Sequence, residues 1–182
     1  MIVLGVACIW SATSALLGQA QTPPSNVAHM EELSWMIGEW KGEVDVEEAI
    51  PGLAEMGDKL SITLRHEWRL NKNAISTVWF IETASGVRLL ENIGMTGWDP
   101  SGGTYVTFDF NSLGARSSNV FSRVGDKWHE NIRSVLADGT TESSTVISSN
   151  ISKNSFSFEV KNRKRGGEEL GDDFNLEFRR VK

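Results

Sequence analysis

The chain has 182 residues, a formal net charge of −6 and a single cysteine. That length suits one domain around one core, and the acidic balance argues against nucleic acid or an anionic membrane surface as a partner. A lone cysteine forms no intrachain disulfide and supplies no thiolate cluster for a metal.

Residues 1–20 carry no charged side chain. Residues 2–10 are apolar, residues 15–17 continue that character, and Gly18 and Ala20 put small residues at the −3 and −1 positions of a cleavage site. The pattern predicts a secretory signal peptide cut before Gln21, and with it a periplasmic or extracellular protein. It lacks a basic n-region, which leaves open a start upstream of Met1. Ser11, Thr13 and Ser14 interrupt the apolar stretch, so it reads less well as an anchor, which needs about 20 apolar residues. Cys8 falls too early for a lipoprotein site. Cleavage removes it, leaving no thiol chemistry and no stable membrane insertion.

Residues 21–26 form a polar lead, and residues 27–182 one domain. Met30, Leu33 and Ile37 fall at i, i+3 and i+7, Glu31 and Glu32 suit a helix N-terminus, and Gly38 suits its stop. The spacing predicts a helix of about ten residues, too short to stand alone. From Trp40 the period becomes twofold. In the clearest run, Leu60, Ile62, Leu64, His66, Trp68 and Leu70 share one face, while Ser61, Thr63, Arg65, Glu67 and Arg69 share the other. This is the pattern of a strand with one wet side. Further runs occupy 74–83, 88–98, 104–110, 115–124, 127–136, 140–149, 155–162 and 174–181.

Turn-forming pairs such as Ser85-Gly86, Gly125-Asp126, Asp138-Gly139 and Gly166-Gly167 separate these runs. The fold class is therefore all-β: about ten antiparallel strands in an up-and-down barrel behind one short helix. Residues 47–59, with Ile50, Leu53, Ala54 and Met56, are expected to cover one mouth. The basic run 161–165 is followed by Glu168, Glu169, Asp172 and Asp173 and reads as a solvated hairpin loop.

Gly38-Glu39-Trp40 after a short helix, with an arginine on the last strand, resembles the signature of the calycins, the lipocalins and fatty-acid-binding proteins. The resemblance implies that Gly38, Trp40 and either Arg179 or Arg180 close the barrel floor. Alternation does not choose between the two arginines. An arginine plane stacks on an indole and also donates to nearby carbonyls. Leu33-Ser34-Trp35-Met36-Ile37-Gly38-Glu39-Trp40, Glu67-Trp68-Arg69-Leu70-Asn71, Gly97-Trp98-Asp99-Pro100 and Thr107-Phe108-Asp109 resemble an exported bacterial lipocalin-like domain family of unassigned function. More distantly, Gly38, Trp40 and Gly42 are similar to the opening of nitrobindin, a haem barrel. Val44 stands where its next glycine would be, and its haem-binding histidine lies on a late strand. Here His29, His66 and His129 all precede residue 130, so no cofactor is expected, haem being the one that the resemblance raises.

The common catalytic signatures are missing. His66-Glu67 and His129-Glu130 begin like a zinc-protease motif, but Leu70 and Arg133 stand at the second histidine position. On a strand, side chains four apart are also about 13 Å apart. No metal site is expected. His66, Trp68, Trp79, Asp109 and Arg133 are the candidate ligand-binding residues, with Asp109, Glu130 and Arg133 as a candidate polar spot in an apolar cavity. Strands with mixed faces leave their orientation open. Three functions follow: a binding module for a small apolar or amphipathic molecule, a haem-binding or isomerase-type enzyme using His66 or His129, and a structural or partner-binding barrel with a filled core.

Overall fold

The computed structural model describes residues 25–46, 54–170 and 174–181. The predicted signal peptide and residues 21–24 of the lead lie outside the described residues. The chain begins with α1 (Val27–Met30), which tightens into a 3-10 helix (Glu31–Met36). Eleven strands follow: β1 (Gly38–Asp45), β2 (Lys59–Arg69), β3 (Ala74–Thr83), β4 (Arg88–Asp99), β5 (Thr104–Asn111), β6 (Arg116–Val124), β7 (Lys127–Val135), β8 (Thr141–Ser149), β9 (Ser155–Arg165), β10 (Glu168–Glu169) and β11 (Phe174–Arg180). Each long strand pairs antiparallel with its neighbours. β8 pairs with β9, β9 with β11 and β11 with β1, so ten strands close into a barrel. The two-residue β10 only extends the β9 hairpin.

The helix is the main local departure from the sequence pattern. Only four residues are α-helical, and six are 3-10. A repeat of three residues per turn keeps Met30, Leu33 and Met36 on one line, and Met30 and Leu33 are fully buried beneath it. Gly38 then takes φ 125°, in the region that favours glycine, as the chain turns from helix into β1.

The helix seals one end of the barrel. Met30 and Leu33 pack on Ile75, Tyr105, Phe121 and Trp128, with Trp68 and Trp98 at the margin. The Tyr105 hydroxyl donates to the His29 carbonyl at 2.7 Å, and the His29 ring stacks on Trp98 at 3.9 Å. Beside this lies the floor. Trp40, fully buried, donates from Nε1 to the Met36 carbonyl at 2.7 Å. The Arg180 guanidinium lies 3.9 Å from the Trp40 ring and donates to the carbonyls of Trp35, Ile37 and Lys153. Arg180 is thus the closing arginine. Arg179, one residue out of step, is exposed and pairs with Glu177.

The cover expected over 47–59 falls partly outside the described residues. In the described part, Val46 and Asp58 pair through their backbones, and Ala54 packs with Val46 and Leu60.

Candidate functional site

The barrel is not packed solid. It encloses a cavity of about 390 Å³, within the size range of small-molecule sites. Trp35 and Met36 bound it at the helix end, and its lining reaches Phe174, which is 37% exposed, at the other.

The wall is divided by chemistry. Ile62 and Leu64 of β2, Trp79 and Ile81 of β3, and Phe156, Phe158 and Phe178 of β9 and β11 make one side apolar. On these strands the alternation runs mainly apolar inward and polar outward, with the His66–Thr77 pair as the polar part of this lining. The outward Phe80 of β3 is an exception, kept buried under the guanidinium groups of Arg65 and Arg88, 5.2 and 3.8 Å from its ring centroid.

From β4 to β6 the alternation reverses, and Glu130 of β7 joins the polar wall. Asn92, Thr96, Thr107, Asp109, Asn119 and Glu130 face the cavity. The intervening Ile93, Met95, Phe108, Phe110 and Val120 face outward, Phe108 being 61% and Phe110 67% exposed. The inward groups satisfy one another across the strands. Thr96 and Thr107 share a hydroxyl hydrogen bond of 2.8 Å. Asp109 accepts from Asn92 Nδ2 at 2.8 Å and from Asn119 Nδ2 at 3.1 Å. The same Asn119 amide donates to Glu130 Oε1 at 2.8 Å. Gly94 makes room for this group, because a Cβ there would stand 3.1 Å from Asp109 Cβ.

One amide thus bridges two carboxyls. Burial pushes Glu130 up to about 7, with the Asp109 charge adding to the shift and the Asn119 bond opposing it. Burial also raises Asp109, against the bonds from Asn92 and Asn119. Glu130 is only partly covered because it borders the cavity. Two buried polar atoms have no hydrogen-bond partner among the described residues, Trp35 Nε1 and Asn119 Oδ1, and both residues line the cavity.

Of the residues singled out in the sequence, His66, Trp79 and Asp109 come together here. His66 is buried, bonds Thr77 Oγ1 through Nδ1 at 2.9 Å, and is lowered to about 4 by loss of solvent. Trp68 points inward too, but one step nearer the helix, where it joins the seal. Arg133 is on the outside. It is out of step with Glu130 and Ile132 and stands exposed, opposite Ser118 and Ser143. His129 likewise alternates to the outer face, opposite Ser122 and Ile147.

Asn92, Gly94, Asn119 and Trp35 escaped the sequence reading. A signal for three of them existed. Trp98, Tyr105, Phe121 and Trp128, each near the helix end of its strand, face inward, and counting from them in twos reaches Asn92, Gly94, Asp109, Asn119 and Glu130.

A haem held from the late strands does not fit these residues. β9 and β11 present Phe156, Phe158 and Phe178 to the cavity, and His66 is the one histidine among the described residues that lines it. Among the described residues, no three His, Cys, Asp or Glu side chains are placed to hold a metal ion.

No family model matches the chain, and no curated protein matches it in sequence. Among solved structures it is similar to the crystal structure of Rv2717c from M. tuberculosis. The TM-score is 0.62 at 16% identity, covering 84% of this chain and 97% of that one. That likeness shows the fold alone: a closed antiparallel barrel, consistent with a calycin-like architecture. A de novo designed fluorescence-activating β-barrel matches at TM-score 0.37 and 17% identity, over 81% of this chain and 94% of that one, too weakly to carry an argument.

Proposed function

We propose that this protein is a binding module that holds a small amphipathic molecule inside its barrel. The observation that supports this is the divided cavity: about 390 Å³ with an apolar side on β2, β3, β9 and β11 facing a hydrogen-bonding side on β4 to β7. Apolar walls supply affinity, and a few fixed polar groups orient the ligand. The signal-like segment 1–20 supports work outside the cytoplasm, which N-terminal sequencing of secreted protein tests by finding Gln21 first or not.

Trp35 and Trp79 line the cavity and report on its contents. Titration with uncharged amphiphiles such as phenethyl alcohol and medium-chain alcohols is expected to give a saturable change in tryptophan fluorescence. Leu64→Trp, which fills the apolar side, is expected to weaken it. A linear, unsaturable response to every member of the series rejects the reading.

A further inference from the structure

We propose that the molecule the cavity takes is an organic cation, an amine whose ammonium group sits against Asp109, Glu130 and the Asn119 carbonyl. This rests on the binding-module reading and narrows its ligand class. The first support is charge. Asp109 and Glu130 lie on one patch of the cavity wall, and neither forms an ion pair with a Lys or Arg in the described structure. No Lys or Arg lines the cavity among the described residues. Its two other titratable lining groups do not supply the missing cation: His66 is uncharged near neutral pH, and Glu142 is itself an acid, already paired with Arg165. Two carboxyls with no counter-ion are an unfavourable arrangement in a protein interior unless a proton or a ligand compensates.

The second support is independent of charge. Asn119 directs its amide nitrogen to both carboxyls, so its carbonyl oxygen, in a residue that lines the same cavity, is left buried and without a donor. A buried acceptor left unpaired is costly. An ammonium carries three donors and no acceptor, which matches two carboxylates and one carbonyl. A carboxylate or phosphate ligand matches none of these. The remainder of the ligand has an apolar surface to lie on, with the Trp79 indole as part of it.

The test compares three ligands of one shape, phenethylamine, phenethyl alcohol and phenylacetate, by tryptophan fluorescence and by thermal shift. The amine is expected to bind roughly tenfold or more tighter than the alcohol, the worth of a charge-assisted hydrogen bond, with phenylacetate weakest. Glu130→Gln and Asp109→Asn are each expected to shrink the amine-to-alcohol ratio. Either variant suffices if the other does not fold by circular dichroism. The ratio is also expected to rise with pH as Glu130 and Asp109 ionise, while the amine stays charged. His66 from β2 loses any residual charge in the same direction, and Glu142 from β8 stays paired with Arg165.

Equal binding of amine and alcohol, or tightest binding of phenylacetate, overturns the cation inference and leaves the binding module standing. Failure of all three to bind overturns both.

Discussion

The two sides of the barrel interior use the same strand geometry in opposite senses. On β2 and β3 the inward residues include Leu60, Ile62, Leu64 and Trp79 beside the His66–Thr77 pair, and charged or polar side chains cover most of the outside. On β4 to β6 the inward residues are Asn92, Thr96, Thr107, Asp109 and Asn119, while Phe108 and Phe110 face solvent. Inward parity is therefore not set strand by strand by which face is more apolar. It is set by closure: once the aromatic residues at the helix end pack under Met30 and Leu33, the parity of β4 to β7 is fixed from there through the polar wall, the register shifts of the β3–β4 and β8–β9 pairs lying beyond it. The apolar side is held by packing, and the polar side by paired hydrogen bonds. Each should fail in its own way.

The largest effect is expected from the packed side. Phe178 is 1% exposed and stacks on Phe156 with ring centroids 5.1 Å apart. Phe178→Ala is expected to cost about 3–5 kcal/mol, read as a lower denaturation midpoint at unchanged slope. The change enlarges the cavity on its apolar side, so a loss below about 1 kcal/mol means that this wall is loosely packed.

The two sides also carry opposite pH dependences. His66 titrates near 4 in the folded barrel and at 6.5 when solvated. Between those values the unfolded chain holds a proton that the folded one lacks, so the histidine's contribution to stability rises with pH and is complete above 6.5. Glu130 behaves in reverse, with a folded value of about 7 against 4.5. From 4.5 to about 7 the folded chain holds the extra proton, so stability falls as pH rises. Across the shared window the two trends offset. Glu130→Gln is expected to expose a rise of about 3 kcal/mol between acidic and neutral pH, and His66→Gln a fall of about 2 kcal/mol, the smaller because Glu130 borders the cavity and is better screened. Asp109, also raised by burial, adds to the falling trend. Chemical denaturation over this range checks both slopes, and identical profiles for the two variants reject the assignment.

The barrel itself was legible. Period-two runs with glycine-containing turns gave the ten long strands within a few residues, and Gly38 and Trp40 marked the floor. What the sequence withheld was orientation. Arg180 rather than Arg179, and Glu130 rather than Arg133, each turn on a single step of parity, to which alternation is blind in a strand with a mixed face. Asp109 was legible as a candidate, but its partners Asn92 and Asn119 lie on neighbouring strands, 17 and 10 residues away along the chain. Only the register of β4, β5 and β6 brings them together. The cavity was illegible for a plainer reason: the same six tryptophans from Trp35 onward fill a barrel or line one. Four of them, Trp40, Trp68, Trp98 and Trp128, pack in the closed end, while Trp35 and Trp79 reach the cavity.

On the polar side, the Thr96–Thr107 pair separates hydrogen bonding from packing. Thr107→Val leaves a buried hydroxyl on Thr96 without its partner and is expected to cost about 1–2 kcal/mol. Adding Thr96→Val removes both polar partners while keeping their shape, and is expected to restore most of that loss. A double variant less stable than the single one would show that the pair matters beyond mutual satisfaction, as part of the wider polar wall.

The smallest effect is expected from the outside of the same strands. Phe108 and Phe110 are next to Ile93 and Met95 across the β4–β5 register, so replacing them tests whether outward apolar residues contribute to the fold. Because each keeps about two thirds of its surface in solvent, folding buries little of either ring. Phe110→Ser is expected to change stability by less than about 0.5 kcal/mol, as for other surface sites, against the several kcal/mol expected at Phe178. An equal loss at both sites would mean that this outer face is covered in solution, since a ring open to water has little burial energy to lose.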